Sequence, residues 1–195
     1  MKLYILVGPS ASGKTTIMEK LMERYTEQYQ IVPSVTTRVK RDETSDRSYQ
    51  FTTRKDFEKR IQSGDMVEWS EYAGNYYGTS QSSIDFRSKK IMLKAMDMHG
   101  ALKMKQAFPP ACILFVYRDK KEVIAEIMKR DIPKTDKENR IASLDDEYFN
   151  LIYCDAVLDN QGDIRETVRT FHETVNHTEY QFEDKLRYAR MYAAK

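Results

Sequence analysis

Gly8-Pro9-Ser10-Ala11-Ser12-Gly13-Lys14-Thr15 matches the spacing G-x-x-x-x-G-K-[ST]. Glycines at both ends let the intervening backbone N–H groups curl around phosphate oxygens, and a helix opening at the second adds positive partial charge. The Lys14 ammonium would then reach the β- and γ-phosphates, with the Thr15 hydroxyl placed for Mg²⁺. Gly8, Ser10, Ala11, Ser12, Gly13, Lys14, Thr15 and Thr16 are the candidate residues for a nucleoside triphosphate. A glycine turn with a chance lysine is the plain alternative. The apolar run "KLYILV" before the loop and the helical pattern after it supply the strand–loop–helix context the motif requires.

A second set of residues could receive an anion. Arg38, Lys40 and Arg41 cluster in "SVTTRVKRDETSDRSYQF", followed by Tyr49, and "VEWSEYAGNYYGTS" adds Glu68, Tyr77 and Thr79. Arginine forks donate paired hydrogen bonds to phosphate. A carboxylate beside them repels phosphate, so Glu68 is expected to address another part of the ligand. Guanine offers adjacent N1–H and N2–H donors that one carboxylate can accept together, whereas adenine presents an acceptor at N1. Taken singly, these residues also fit a solvated charge run, packed strand tyrosines and a surface carboxylate. Their joint occurrence favours an acceptor site.

Phosphate loops of this kind serve GTPase switches, ATP-driven motors and small-molecule kinases. The guanine-reading motif Asn-Lys-x-Asp is absent from the chain, which counts against a switch, and 195 residues without a second ATPase module disfavour a motor. A kinase needs the second, anion-receiving site.

The elements that must position these groups read as α/β. "KLYILVG", "ACILFVY", "KKIMLKAM" and "DAVLD" suit strands covered on both faces of a parallel sheet. Helical patterns lie between them at Thr15 to about Tyr29, about Gly100 to Phe108, Lys120 to Arg130 and Asn139 to Leu151. From about Pro33 to Tyr77 the rhythm breaks. "SYQFTT", "DMVEWSEY" and "GNYYGT" are expected as short antiparallel strands around a helix at "RKDFEKRIQS", with a hairpin turn at Ala73–Asn75. "RDIPKTDKEN" is expected as a polar, mobile loop, and the tail from about Asn176 as a further helix.

Composition sets the outer bounds. Hydrophobic residues make up 41% and charged residues 32%, an ordinary globular balance. Net charge is only +2, which argues against a general nucleic-acid or membrane binder. Cys112 and Cys154 lack partners at metal-ligand spacing and read as reduced thiols. No apolar run approaches the roughly 20 residues of a membrane helix, and "MKLYILVG" is too short for a signal peptide. A cytoplasmic location is expected.

The segments "GPSASGKTT", "SVTTRVKR", "SYQF", "FEKRIQSGDMVEWSEYAGNYYGTS" and "DMHG" together resemble the guanylate kinase (GMP kinase) family of P-loop nucleoside monophosphate kinases over about residues 1 to 175. That resemblance implies a P-loop NTPase-type parallel sheet flanked by helices, with a small β-rich GMP-binding insertion and a helical lid segment. The implied boundaries are a core at about 1–32, 80–128 and 150–175, a GMP-binding subdomain at about 33–79, a lid at about 129–149 and a helical tail at about 176–195. Ser34, Glu68, Thr79 and Asp97 would contact guanine, while Arg38, Arg41, Tyr49 and Tyr77 would hold the GMP phosphate. Arg130 and Arg140, at the base of a lid at Asp131–Glu138, would reach the ATP phosphates, and Asn160 would lie near the adenine. Lys14, Arg38, Arg130 and Arg140 would be catalytic. Mg²⁺ would sit on Thr15, with Asp97 acting through water.

The activity implied is ATP-dependent phosphorylation of GMP, and of dGMP, to the diphosphate. ATP and GMP are the expected partners, without nucleic acid or membrane, in a monomer or homodimer. Another small phosphate acceptor, or a phosphopeptide-binding module using the GMP site, remains as an alternative. The chain departs from the family pattern at several points. Ala95 stands where the first acid of an Asp-x-Asp pair is usual, "KRD" replaces "GRG" at Lys129–Asp131, and Glu126 takes a frequent arginine position. His99, His172 and His177 read as structural or surface residues, since a phosphate acceptor is already anionic and needs no general base.

Overall fold

In the computed structural model, residues 2–40, 48–72, 74–177 and 181–193 are described. β1 (Lys2–Val7) is central to a five-stranded sheet with β2 (Tyr29–Ile31), β7 (Ile91–Ala95), β8 (Cys112–Tyr117) and β9 (Ala156–Asp159), in the order β2-β7-β1-β8-β9. Every pairing in it is parallel. Alternation along β1 explains its apolar run. Leu3, Ile5 and Val7 enter one core with Met92, Ile113 and Phe115, while Leu6 enters the other with Ile17, Leu21 and Phe171. Each fully buried aliphatic side chain contributes roughly 1.5–3 kcal/mol.

α1 (Lys14–Arg24) follows the loop, and α7 (Ile164–Asn176) packs beside it. The expected continuation of α1 to Tyr29 is not observed. The chain turns after Arg24, and Tyr29–Ile31 pairs with β7 as an edge strand. Tyr29 is wholly buried, with its hydroxyl 2.9 Å from His172 Nδ1. Pairing with a distant strand outweighs the local helical pattern.

A second sheet, ordered β4-β3-β6-β5, holds β3 (Ser34–Thr36), β4 (Tyr49–Phe51), β5 (Met66–Tyr72) and β6 (Asn75–Ser80). β5 and β6 form the expected antiparallel hairpin, although Ala73 of its turn lies outside the described residues. β4 departs from expectation by pairing parallel to β3. A parallel pair needs a crossover of about a dozen residues, which 37–48 supply; a three-residue strand carries no local sign of its direction. α2 (Arg54–Gln62) is capped by Thr53, which accepts from the Asp56 N–H. Its Phe57 joins Val35 and Tyr76 in a small separate core.

α3 (Met98–Ala107) and α4 (Lys120–Lys129) follow β7 and β8. The polar stretch after α4 is largely helical, contrary to the expected loop. α5 (Lys134–Ala142) starts after Pro133, and a break at Ser143 separates it from α6 (Leu144–Phe149). The single helix expected from Asn139 to Leu151 is therefore two helices followed by a 3-10 turn.

Residues 181–193 return to the core. Glu183 bridges Val157 through two backbone hydrogen bonds, and Phe182 packs edge-on against Tyr4. α8 (Lys185–Ala193) buries Tyr188, whose hydroxyl donates to Asp159 Oδ2 at 2.6 Å. Tyr192 stacks on Tyr148. Among the described residues no helix is long and apolar enough to cross a membrane.

Tyr188→Ala should cost about 3 kcal/mol, lowering the thermal midpoint by roughly 6–12 °C for a chain of this size. An unchanged midpoint in a calorimetric scan would show that α8 does not hold the core.

Candidate active site

The phosphate loop leaves β1 and enters α1 through residues that few side chains tolerate. Gly8, Ala11 and Gly13 have φ of 129°, 69° and 99°. Gly13 caps α1 without a side-chain hydrogen bond, so the first-turn N–H groups stay free for an anion. A Cβ on Gly13 would stand 2.4 Å from Asn160 Nδ2. Asn160 is buried beneath the loop, donating to the Ser12 carbonyl at 2.8 Å and accepting from the Thr167 hydroxyl at 2.9 Å. Its amide is thus engaged at both ends by protein groups, and it braces the loop from below.

Lys14 folds back over the loop and donates to the Gly8 and Pro9 carbonyls at 2.6 and 2.8 Å. Burial lowers its pKa to about 8; Glu147 opposes that shift, and Arg130 and Arg140 reinforce it. Arg130, at the end of α4, and Arg140, on α5, both donate to Ser10 Oγ, at 3.2 and 2.6 Å. Arg140 Nε is buried without a hydrogen-bond partner among the described residues. Three cations around an orphaned donor suit a polyanion. The cavity here is about 400 Å³, lined by Ser10, Ala11, Gly13, Lys14, Thr15, Thr16, Arg118, Glu126, Lys129 and Arg130.

A second cavity, of about 390 Å³, opens between the two sheets. Ser34, Tyr49, Glu68, Tyr77 and Asp97 line it, together with Ser70, Glu71, Gly78, Ala95 and Met96. Thr79 lies behind the wall, fully buried, and donates to Glu68 Oε1 at 2.6 Å. Burial raises the Glu68 pKa, opposed by the Thr79 hydrogen bond and by Lys94. Asp97 caps α3 by accepting from the Gly100 N–H at 2.8 Å. Gly100 makes room for the carboxylate, since a Cβ there would lie 3.2 Å from Glu68 Oε2. Arg38 lies over the Tyr49 and Phe51 rings at 5.1 and 5.3 Å. Arg41 lies outside the described residues.

A third cavity, of about 420 Å³, joins the other two. It shares Ser10 and Lys14 with the first and Met96 and Asp97 with the second, and Glu147 and Asn150 line it as well. Two anions bound in the outer cavities would meet there.

The family model described as "Guanylate kinase" matches residues 1–178. The chain belongs to the guanylate kinase family. Similar curated proteins include guanylate kinases of Nostoc sp., 37% identical over 59% of this chain and 59% of that one, and of Gloeobacter violaceus, 35% identical over 66% and 63%. The match thus spans about three fifths of the length of these relatives. A guanylate kinase of Prochlorococcus marinus is 30% identical over 86% of this chain and 93% of its own. The fold resembles a solved guanylate kinase structure from Anaplasma phagocytophilum, with a TM-score of 0.61 and 22% identity over 93% and 86% of the two chains.

Set against the guanylate kinase pattern, Ala95 lines the second cavity where an acid is usual, and Glu147 brings a carboxylate to the joining cavity from α6. Sequence reasoning missed Glu147, and its surroundings in a helical pattern offered no signal. Arg118 was also missed, although a basic residue directly after the apolar run "ACILFVY" falls at the ligand-facing end of a parallel strand. Lys94 carried the clearest unread signal, a charge inside an apolar strand pattern. It is 1% exposed.

Gly13→Ala strains both φ and the Asn160 contact and should reduce triphosphate affinity at least ~10-fold; undiminished binding in a calorimetric titration would refute the brace. Triphosphate affinity should also fall as pH rises past the Lys14 pKa. Lys14 is charged below about 8 and loses its proton above it, so affinity should be level up to that pH and decline beyond it. A level profile up to pH 9.5 would remove Lys14 from the phosphate site.

Proposed function

We propose that this chain transfers the γ-phosphoryl group of ATP to GMP, and to dGMP, giving two diphosphates. The continuity of the three cavities supports this assignment most directly, because it gives two phosphate-bearing ligands one meeting point beside Lys14. ATP would occupy the loop cavity through Gly8, Ser10, Ala11, Ser12, Gly13, Lys14, Thr15 and Thr16. GMP would occupy the other, its base toward Ser34, Glu68, Thr79 and Asp97 and its phosphate toward Arg38, Arg41, Tyr49 and Tyr77. Residues 33–79 then act as the GMP-binding subdomain and 129–149 as the lid.

A GMP phosphate oxygen, anionic at neutral pH, attacks the γ-phosphorus while the bond to the ADP oxygen breaks. No proton has to be removed, so the protein's contribution is alignment and charge neutralisation. Lys14, Arg130 and Arg140 offset the combined negative charge. Closure of α5 over the loop, with Arg140 already reaching Ser10, excludes water and limits loss of ATP to hydrolysis.

The donor set suits Mg²⁺. Among the described residues no group of three acids, histidines or cysteines could hold a metal unaided, whereas the Thr15 hydroxyl lines the loop cavity. Mg²⁺ characteristically takes one or two protein oxygens together with substrate phosphates and water. Thr15 would hold it directly and Asp97 through water, and the ion would neutralise phosphate charge.

A phosphopeptide-binding module is the second reading, favoured by Ala95 in place of the usual acid. ADP release measured with GMP, dGMP, AMP, CMP and UMP separates the two. Turnover with GMP is expected; retained GMP binding without turnover of any acceptor would select the binding module. Glu68→Ala should raise the GMP KM by roughly 10- to 100-fold and leave the ATP KM unchanged, and an unaltered GMP KM would remove Glu68 from base recognition.

A further inference from the structure

Lys94 lies in the middle of β7, 1% exposed, on the side of the strand that faces Met92 and Met96. Its ammonium donates to Ser34 Oγ at 2.7 Å. Ser34 lines the second cavity, and Lys94 does not.

An ammonium carries three N–H donors and no acceptor. The Ser34 oxygen must therefore accept from Lys94, and its own proton is turned away from the lysine. Among the described residues that proton has no acceptor, and the cavity is the space left to it. Across the cavity the opposite polarity is built in. Thr79 donates to Glu68 Oε1, and the ionised carboxylate can only accept, leaving Oε2 beside Gly100 for a ligand. The wall thus offers a donor at Ser34 and, facing it, an acceptor at Glu68.

We propose that Lys94 is a positioning residue for base selection: by occupying the Ser34 oxygen, it fixes the serine as a hydrogen-bond donor to the ligand. This rests on the assignment of this cavity to GMP. A donor at Ser34 matches the guanine O6 acceptor while Glu68 takes the neighbouring N–H donors. Adenine would bring its N6 amino group, itself a donor, against the same hydroxyl. Lys94 also supports its counterpart, since its charge favours the ionised form of Glu68. Without the ammonium, the Ser34 hydroxyl becomes a free rotor able to donate or accept, and discrimination relaxes.

The test compares wild type, Lys94→Met, Ser34→Ala and the double variant by steady-state kinetics with GMP and by calorimetric binding of GMP and AMP. Lys94→Met should raise the GMP KM and narrow the GMP-over-AMP affinity ratio, each about 10-fold, with kcat and the ATP KM within about 2-fold. The double variant should fall well short of additivity, because the lysine acts chiefly through the serine and only secondarily through the charge on Glu68. Full additivity, or an unchanged affinity ratio in Lys94→Met, overturns the proposal. If Lys94→Met does not fold, an unchanged ratio in Ser34→Ala has the same force. A wild type that binds GMP without turning it over defeats the kinase assignment and leaves the affinity ratios to decide the role of Lys94. A wild type that does not bind GMP defeats both.

Discussion

The turn at residues 8–13 must present bare backbone N–H groups at the head of α1, and a buried amide holds it there. Asn160 links the Ser12 carbonyl to Thr167 and fills the space beneath Gly13. Because Asn160 follows β9 and Thr167 belongs to α7, the far edge of the parallel sheet is tied to the loop after its central strand. The tail strengthens the same edge, with Glu183 paired to Val157 and Tyr188 bonded to Asp159. Ala11, a non-glycine residue at positive φ, makes the loop costly to hold open, and the surrounding core supplies the rigidity.

Charge is distributed around this turn with opposite logic in the two outer cavities. The loop side concentrates cations: Lys14, Arg130 and Arg140 crowd one another, burial lowers the Lys14 pKa, and Arg140 Nε has no partner among the described residues. Such an arrangement is strained without an anion and relieved by one. The second cavity instead balances its charges, with Lys94 and Glu68 each buried, electrostatically coupled and given one hydroxyl partner. Balanced polar pairs carry direction more than attraction, which suits reading the edge of a base.

Much of the site was legible in the residues themselves. The phosphate loop declares itself because its function is local: eight consecutive residues make the turn, the cap and the lysine. Glu68, Tyr49 and Tyr77 were visible as an improbable mixture of phosphate donors and a carboxylate, and they line one cavity. Lys94 left a signal, a charge inside an apolar strand, that pointed to no partner, and Glu147 left none; the neighbours of both are remote in sequence. Lys94 meets Ser34 only where the fold brings the start of β3 to β7, and Glu147 reaches the cavity beside Lys14 only where the fold brings α6 to it.

The sequence by itself determined the strand–loop–helix unit, the two cores of the parallel sheet and the family, since all follow from patterns a few residues long or from motifs kept in order. Tertiary structure alone decided where α1 stops, the parallel pairing of β4, the division of the lid stretch into α5 and α6, and the joining of three cavities at Lys14 and Asp97. The physical reason is the same in each case. Strand pairing and burial between distant segments gain more free energy than a short stretch of local propensity can oppose.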